Sequence, residues 1–225
     1  MRMALLFVAT GLSVLAAVHQ SKACVDTAIV LAVDSSGSIT DEEYKFQKSG
    51  MVAAFRDPSV LSAIRTSGSV AVAAVFWGDG ELVSQRLGWF IMDGVKPSEH
   101  FARALELNQR TAWGNTDIGS GIWAALDMLS LPQMCARRRI VDISGDGKET
   151  LLPKRRRSIT LQQARGRAKG MGVTINGLVI LNEETDLADY YNKQVIAGHE
   201  SFVVAIRKFE DFARAIRLKL IRELS

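Results

Sequence analysis

Several chemistries can be set aside because the residues they need are missing. The 225-residue chain has three histidines, and His19 lies in an N-terminal segment read below as removable. Of the other two, His100 falls at an exposed helix start, and no Gly-x-Ser-x-Gly elbow is present, so a serine hydrolase lacks its base and its nucleophile turn. Phosphoryl transfer through an aspartyl nucleophile would want a second acid where Ser36 stands. Gly145-Asp146-Gly147-Lys148 superficially resembles a phosphate loop, but Glu149 replaces the required hydroxyl residue and Asp142 stands where the leading glycine belongs. No dinucleotide fingerprint occurs. The chain is read as a binding protein and not as an enzyme, with metal-dependent hydrolysis or phosphoryl transfer as the alternative.

Other absences bound the architecture. There is no internal repeat and no segment biased enough for disorder, and 48% apolar with 23% charged residues is the balance of an ordinary globular protein. The length suits one large domain with a substantial core. The net charge is +4, clustered in two runs, Arg137-Arg138-Arg139 and Lys154-Arg155-Arg156-Arg157. Neither run is interleaved with aromatics on a broad basic face, so nucleic acid is not an expected partner.

The apolar run Met3 to Val18 is shorter than the ~20 residues a membrane-spanning helix needs. Arg2 precedes it, and the small residues Ser21 and Ala23 stand where a signal peptidase reads. Residues 1–23 are therefore read as a signal peptide and residues 24–225 as a single exported domain with no stable membrane insertion. A lipoprotein signal would want an aliphatic residue in place of Ser21, which argues against lipidation of Cys24. Cleavage removes Arg2 and Lys22, lowering the net charge from +4 to +2. Export also favours oxidation of the two cysteines, Cys24 and Cys135.

Hydrophobic patterning alternates strands with helices. Val25 to Val33 is a continuous apolar run, the mark of a strand buried on both faces. Thr40-Asp41-Glu42-Glu43 is a capping box, predicting a helix to about Phe55. Val70 to Trp77 is a second strand, and Leu87 to Met92 its antiparallel neighbour across a tight turn. Helices are predicted over 98–108, 117–129, 160–169 and 187–196, and strands over 140–144, 173–180 and 202–205. From Lys208 to Leu224, Phe209, Phe212, Ala213, Ile216 and Leu220 recur at helical spacing, a stripe for docking on the sheet. The expected fold is α/β and doubly wound, with a mostly parallel central sheet, one antiparallel edge strand and helices on both faces. Ligands of such sheets bind beyond the carboxyl ends of the strands, near the switch in strand order.

Three polar segments fall there. Asp34-Ser35-Ser36-Gly37-Ser38 follows the first strand, Gly114-Asn115-Thr116-Asp117-Ile118-Gly119 opens a helix, and Ser144-Gly145-Asp146-Gly147 follows the Ile140 strand. Their carboxylates and hydroxyls are hard oxygen donors, suited to Mg²⁺, Mn²⁺ or Ca²⁺, whereas zinc prefers nitrogen or sulfur. Taken singly, each segment could be no more than a cap or a turn.

Together they resemble the metal-ion-dependent adhesion site of the von Willebrand factor A (vWA) superfamily, which uses an Asp-x-Ser-x-Ser loop, a later Thr and an Asp at the end of the fourth strand. Carried onto this chain, the metal residues are Asp34, Ser36, Ser38, Thr116 and Asp146. Ser-Gly-Asp-Gly and the closing Phe-Glu-Asp-Phe-Ala-Arg-Ala-Ile stretch resemble a bacterial exported branch described as a domain of unknown function, which makes the periplasm the expected location, with secretion the alternative. The resemblance implies a divalent cation, Mg²⁺ first, and a protein partner that presents a Glu or Asp. It also leaves open a structural module with a degenerate site. The superfamily often has Thr-Asp-Gly where this chain reads Gly145-Asp146-Gly147, so one supporting hydroxyl is missing from its usual position. Asp117 either adds charge beside the site or serves as a first-turn helix acid. Trp113 either borders the site or fills the core. Lys154 to Arg157 are read as a rim that steers an acidic partner, or else as a solvated loop. The superfamily strand order sets the first and fourth strands side by side and parallel, with Cys24 ten residues before Asp34 and Cys135 eleven before Asp146. That order implies a Cys24–Cys135 disulfide at the end opposite the metal, which would stabilise the fold by roughly 2–4 kcal/mol.

Overall fold

The computed structural model describes residues 24–150 and 159–225. The segments read as signal peptide (1–23) and basic rim loop (Lys154, Arg155, Arg156, Arg157) lie outside them.

Six strands form one sheet: β1 (Val25–Asp34), β2 (Val70–Trp77), β3 (Gln85–Met92), β4 (Ala136–Gly145), β5 (Val173–Ile180) and β6 (Val203–Ile206). Their order is β3-β2-β1-β4-β5-β6. The β2–β3 pair is antiparallel and every other pair is parallel. Side chains alternate across the sheet, so the unbroken apolar run of β1 feeds two cores. Ile29, Leu31 and Val33 enter one core and Ala28, Val30 and Ala32 the other. The first core is closed by α1 (Asp41–Arg56), α2 (Pro58–Thr66), α3 (Val95–Leu107) and α7 (Phe212–Leu224). The second is closed by α4 (Ile118–Leu129), α5 (Leu161–Gly170) and the short α6 (Leu187–Tyr190). The doubly wound α/β architecture expected from the sequence is the one observed.

Four details differ from the sequence expectation. Helix α2 was not foreseen: Asp57 ends α1 and also caps the next helix, accepting from Ser59 N at 2.8 Å, with Pro58 in its first turn. β4 begins at Ala136, because ladder pairing with β1 (Val25 with Ala136, Thr27 with Arg138) carries the arginine run into the sheet. The helix expected over 187–196 breaks after Tyr190 into a π-turn, Tyr191–Val195, which leaves Tyr191 and Val195 both fully buried. In α7, Ala213 faces outward while Lys219 and Glu223 face the core. Lys219 Nζ lies 2.7 Å from Asp142 of β4 and 2.6 Å from Glu223. Among the described residues no helix is long and apolar enough to cross a membrane.

Cys24 and Cys135 form a disulfide with Cα atoms 4.6 Å apart. They immediately precede β1 and β4, where Val25 N donates to Cys135 O at 2.9 Å. Parallel pairing from a shared start brings the two thiols together, as the superfamily strand order implied.

Candidate metal centre

β1 and β4 are neighbours in the middle of the sheet, and the chain leaves them toward opposite edges, so their carboxyl ends border the topological switch point. Asp34 is the last residue of β1 and Asp146 follows the last residue of β4. Asp34 Oδ1 accepts from Ser36 N at 2.8 Å, which turns the loop back over the strand end. Ser36 Oγ lies 3.1 Å from Ser38 Oγ and accepts from Thr116 Oγ1 at 3.2 Å. Ser38 Oγ donates to Asp146 Oδ1 at 2.9 Å. All five residues from the three sequence segments are thus gathered into one contiguous cluster. Asp34, Ser36, Thr116 and Asp146 are buried, whereas Gly37 and Ser38 are exposed and mark the way in.

The electrostatics of this cluster are unfavourable as it stands. Asp34 Oδ2 and Asp146 Oδ2 are buried with no hydrogen-bond partner. Burial, and then the neighbouring Asp146 carboxylate, push the Asp34 pKa up to about 7. Burial also raises Asp146, to about 6, with Glu43 and Glu183 adding to the shift and the Ser38 hydroxyl opposing it. Two buried carboxylate oxygens without donors call for a proton or a cation.

The loop is held from behind by a residue that carried no signal in the sequence. Arg110 sits in the irregular stretch before Trp113, and its side chain is 6% exposed. Its Nη2 donates to the carbonyls of Ser35 (3.1 Å), Ser36 (2.8 Å) and Ile39 (2.7 Å), and Nη1 meets Asp41 at 3.0 Å. The guanidinium lies 3.8 Å from the Trp113 ring centroid and 5.4 Å from that of Tyr44. Gln47 joins the two strand ends, donating to Asp34 O at 3.3 Å and accepting from Ser144 Oγ at 3.4 Å. Gly37 N donates to Gly114 O at 2.7 Å, and Gly114 has φ +90° with Asp79 Cβ only 2.8 Å from where a Cβ would stand. Thr116 is fixed by a reciprocal pairing: its N–H donates to Thr150 Oγ1 at 3.0 Å, and Thr150 N–H donates to Thr116 O at 2.9 Å.

Gly145 is explained by its surroundings. A Cβ there would stand 2.5 Å from the Tyr191 hydroxyl and 3.0 Å from Asp34 Oδ2. The space beside Asp34 that a side chain at position 145 would fill is taken by Tyr191, which the π-turn places there and whose hydroxyl is buried without a hydrogen-bond partner. A phenol therefore occupies the neighbourhood from which the superfamily's usual threonine is missing.

The rim differs in part from expectation. Asp117 is fully buried and caps α4, accepting from Ser120 N at 2.9 Å and from Ser120 Oγ at 2.9 Å. It is a helix-capping acid and not a rim residue, because the N-terminus of α4 needs an acceptor there. Trp113 is 44% exposed and borders the site. Among the described residues no group of three or more His, Cys, Asp or Glu side chains is placed to hold a metal. The cluster's donors are instead two carboxylates and three hydroxyls.

Residues 23–225 match the family model described as Protein of unknown function (DUF1194). The chain belongs to this family. No curated protein matches it. Among solved structures, this family member is similar to the vWF domain of the pilus tip protein Mfa5 from Porphyromonas gingivalis (14% identity, 91% of this chain and 98% of that one, TM-score 0.58). It is also similar to proximal thread matrix protein 1 from the mussel byssus (18% identity, 88% of this chain and 47% of that one, TM-score 0.54). A third similar structure is the pilus adhesin SpaC from Lactobacillus rhamnosus GG (12% identity, 90% of this chain and 31% of that one, TM-score 0.59). The chain spans less than half the length of the mussel protein and of SpaC. Likeness at these identities is likeness of fold: the chain has the vWA fold, and these neighbours are adhesion or matrix proteins. The mussel protein has also been solved with a zinc-occupied MIDAS motif (17% identity, 89% of this chain and 48% of that one, TM-score 0.53).

Proposed function

We propose that this chain is an exported interaction domain that captures a protein partner through a divalent cation held by Asp34, Ser36, Ser38, Thr116 and Asp146. The observation that carries the reading is the pair of buried, unpartnered oxygens, Asp34 Oδ2 and Asp146 Oδ2, flanking a hydroxyl cluster. Buried anionic oxygens without donors are costly, and a cation is the group that relieves both at once. An all-oxygen donor set with only two carboxylates suits Mg²⁺, with Mn²⁺ and Ca²⁺ as substitutes. The zinc in the mussel protein supports a divalent cation at such a motif in general, while the oxygen donors here favour the harder ion.

Ser36, Ser38 and Thr116 are neutral, so little of the ion's charge is offset, and the bound ion supplies an electrophile for a partner's Glu or Asp carboxylate. The protein's own part is to hold those oxygens in place: Arg110 grips the loop carbonyls, Gln47 ties Asp34 to Ser144, and Trp113 offers an apolar contact beside the opening. The signal peptide, 1–23, and a periplasmic location belong to the same proposal.

The test is direct. Calorimetry with Mg²⁺, Mn²⁺ and Ca²⁺ on the chain starting at Cys24 should show one site, with a matching rise in melting temperature. Asp34→Ala and Asp146→Ala should abolish it, with circular dichroism confirming that both variants fold. Capture of a partner from envelope extract should then require Mg²⁺ and be lost in EDTA. Variants that fold and keep the metal-dependent shift would remove these residues from the site.

A further inference from the structure

The helix break after Tyr190 places two neighbouring phenols against different parts of the candidate metal centre. π-turns are rare and recur at functional sites. The Tyr190 hydroxyl accepts from Glu149 N at 3.4 Å, next to Thr150, whose pairing fixes Thr116. Tyr191, the first residue of the π-turn, reaches the strand ends instead. It is fully buried, and two glycines on neighbouring strands make room for it. A Cβ at Gly177 of β5 would stand 3.0 Å from Tyr191 Cδ1, and one at Gly145 of β4 would stand 2.5 Å from its hydroxyl.

Phenylalanine would fill this space as well, with the same ring and no polar atom to bury. The hydroxyl is buried without a hydrogen-bond partner, an arrangement that costs stability unless the group is used. A matching group lies beside it. Asp34 Oδ2 is 3.0 Å from the same Cβ position at Gly145 and is also buried without a partner. The two oxygens are therefore no more than about 5.5 Å apart, a span covered by a small turn of either side chain or by one bridging water. One is a donor and the other an acceptor, and with glycine at 145 no side chain stands between them. A carboxylate oxygen has two lone-pair sites, so Asp34 Oδ2 can take this donor and a cation together.

We propose that Tyr191 is a positioning residue of the metal centre. Its hydroxyl donates to Asp34 Oδ2, directly or across one water, and holds that carboxylate in the orientation that receives the cation. The inference rests on the metal reading above and adds to it a residue that acts only through Asp34. Removing a group that orients a ligand in this way typically weakens metal binding by about 10–100-fold.

Calorimetry with Mg²⁺ on the chain starting at Cys24 compares the parent with Tyr191→Phe, which keeps the ring and removes only the hydroxyl. The variant should bind Mg²⁺ about tenfold more weakly. Its metal-free melting temperature should be no lower than the parent's, since no bond that stabilises the ring is lost. A second readout needs no metal. Ultraviolet resonance Raman spectra in EDTA isolate Tyr191 as the difference between the parent and Tyr191→Phe, and that difference should carry the signature of a tyrosine that donates a hydrogen bond. Taken in an Asp34→Ala background, the same difference should lose the donor signature, whereas in an Asp146→Ala background it should keep it. Equal Mg²⁺ affinity in Tyr191→Phe, or a donor signature that survives Asp34→Ala, overturns the proposal. A parent chain that binds no Mg²⁺ overturns the metal reading and this inference with it, an outcome distinct from a parent and a Tyr191→Phe variant that bind equally well.

Discussion

The two ends of the central strands are chemical opposites. Where β1 and β4 finish, buried carboxylate oxygens lack donors: Asp34 Oδ2 and Asp146 Oδ2. Where β4 begins, about ten residues and roughly 30 Å away, three consecutive arginines stand instead, Arg137 to Arg139. The first end is built from loops held by side chains such as Arg110 and Gln47. The second is stapled covalently by Cys24–Cys135, while the buried Lys219 group, bonded to Asp142, lies between the two ends. A parallel sheet explains the segregation. Every βα crossover returns the chain to the same side, so the loops following the five parallel strands gather at one end and their starts at the other, antiparallel β3 alone running the opposite way.

That contrast can be broken by experiment. The largest effect is expected from Lys219→Met, which leaves Asp142 and Glu223 buried without their cation and should destabilise the protein by about 3–5 kcal/mol in urea unfolding. The Mg²⁺ affinity of the folded variant should not change. If affinity falls with stability, the metal end is coupled to the buried Lys219 group in the middle of the sheet. Next, Cys24→Ser with Cys135→Ser should lower stability by about 2–4 kcal/mol, again sparing the metal site. Arg110→Ala should act at the other end only. Releasing three carbonyls should weaken Mg²⁺ binding about tenfold in calorimetry, with a stability loss of about 1–3 kcal/mol. Equal Mg²⁺ affinity in that variant would show that the loop holds its own shape.

The weakest discriminator is pH, because both ends respond in the same direction. Asp34 (about 7) and Asp146 (about 6) have folded pKa values above the carboxylate reference of 3.8, and Glu223 (about 8) lies above 4.5. Each takes up protons more readily when folded, so its stabilising share is full below about pH 4 and is lost as pH rises through those values. Metal-free protein should therefore unfold at lower urea as pH climbs from about 4 toward 8, net of other titrating groups. Saturating Mg²⁺ should flatten the part below about pH 7 and leave the Glu223 part. A urea midpoint that does not fall over this range would contradict the burial of these acids.

Much of the molecule was legible in its residues. The uninterrupted run Val25 to Val33, the capping box at Thr40 and the alternation of strand with helix specified the architecture, because burial pattern and capping are local chemistry. The three oxygen-rich segments were legible from composition, the five candidate ligands within them came from the resemblance to the adhesion-site pattern, and the structure gathers those five into one cluster. What escaped notice shares one cause. Arg110 and Tyr191 act across long sequence separations: Arg110 reaches a loop some 75 residues away, and Tyr191 fills the space beside Gly145. The strand expected over 140–144 starts at Ala136 because ladder pairing with β1 takes in the arginine run. Asp117 was ambiguous because a first-turn acid and a site acid look alike until burial and the Ser120 bond decide. The dual role of Asp57, ending one helix and capping the next, was likewise hidden in a single residue.

By itself, the sequence determined the alternation of strands with helices, most of the faces they bury, and which oxygen-bearing residues stand at the loop ends. These follow from periodicity and side-chain type, read a few residues at a time. Only the tertiary structure decided that Asp34 and Asp146 are buried in one hydroxyl-linked cluster and that Tyr191 fills the space beside Gly145. It also decided that Arg138 of β4 reaches α7, donating to Glu223 O. Those outcomes depend on which strands become neighbours, and the pairing of a sheet comes from the packing of the whole chain.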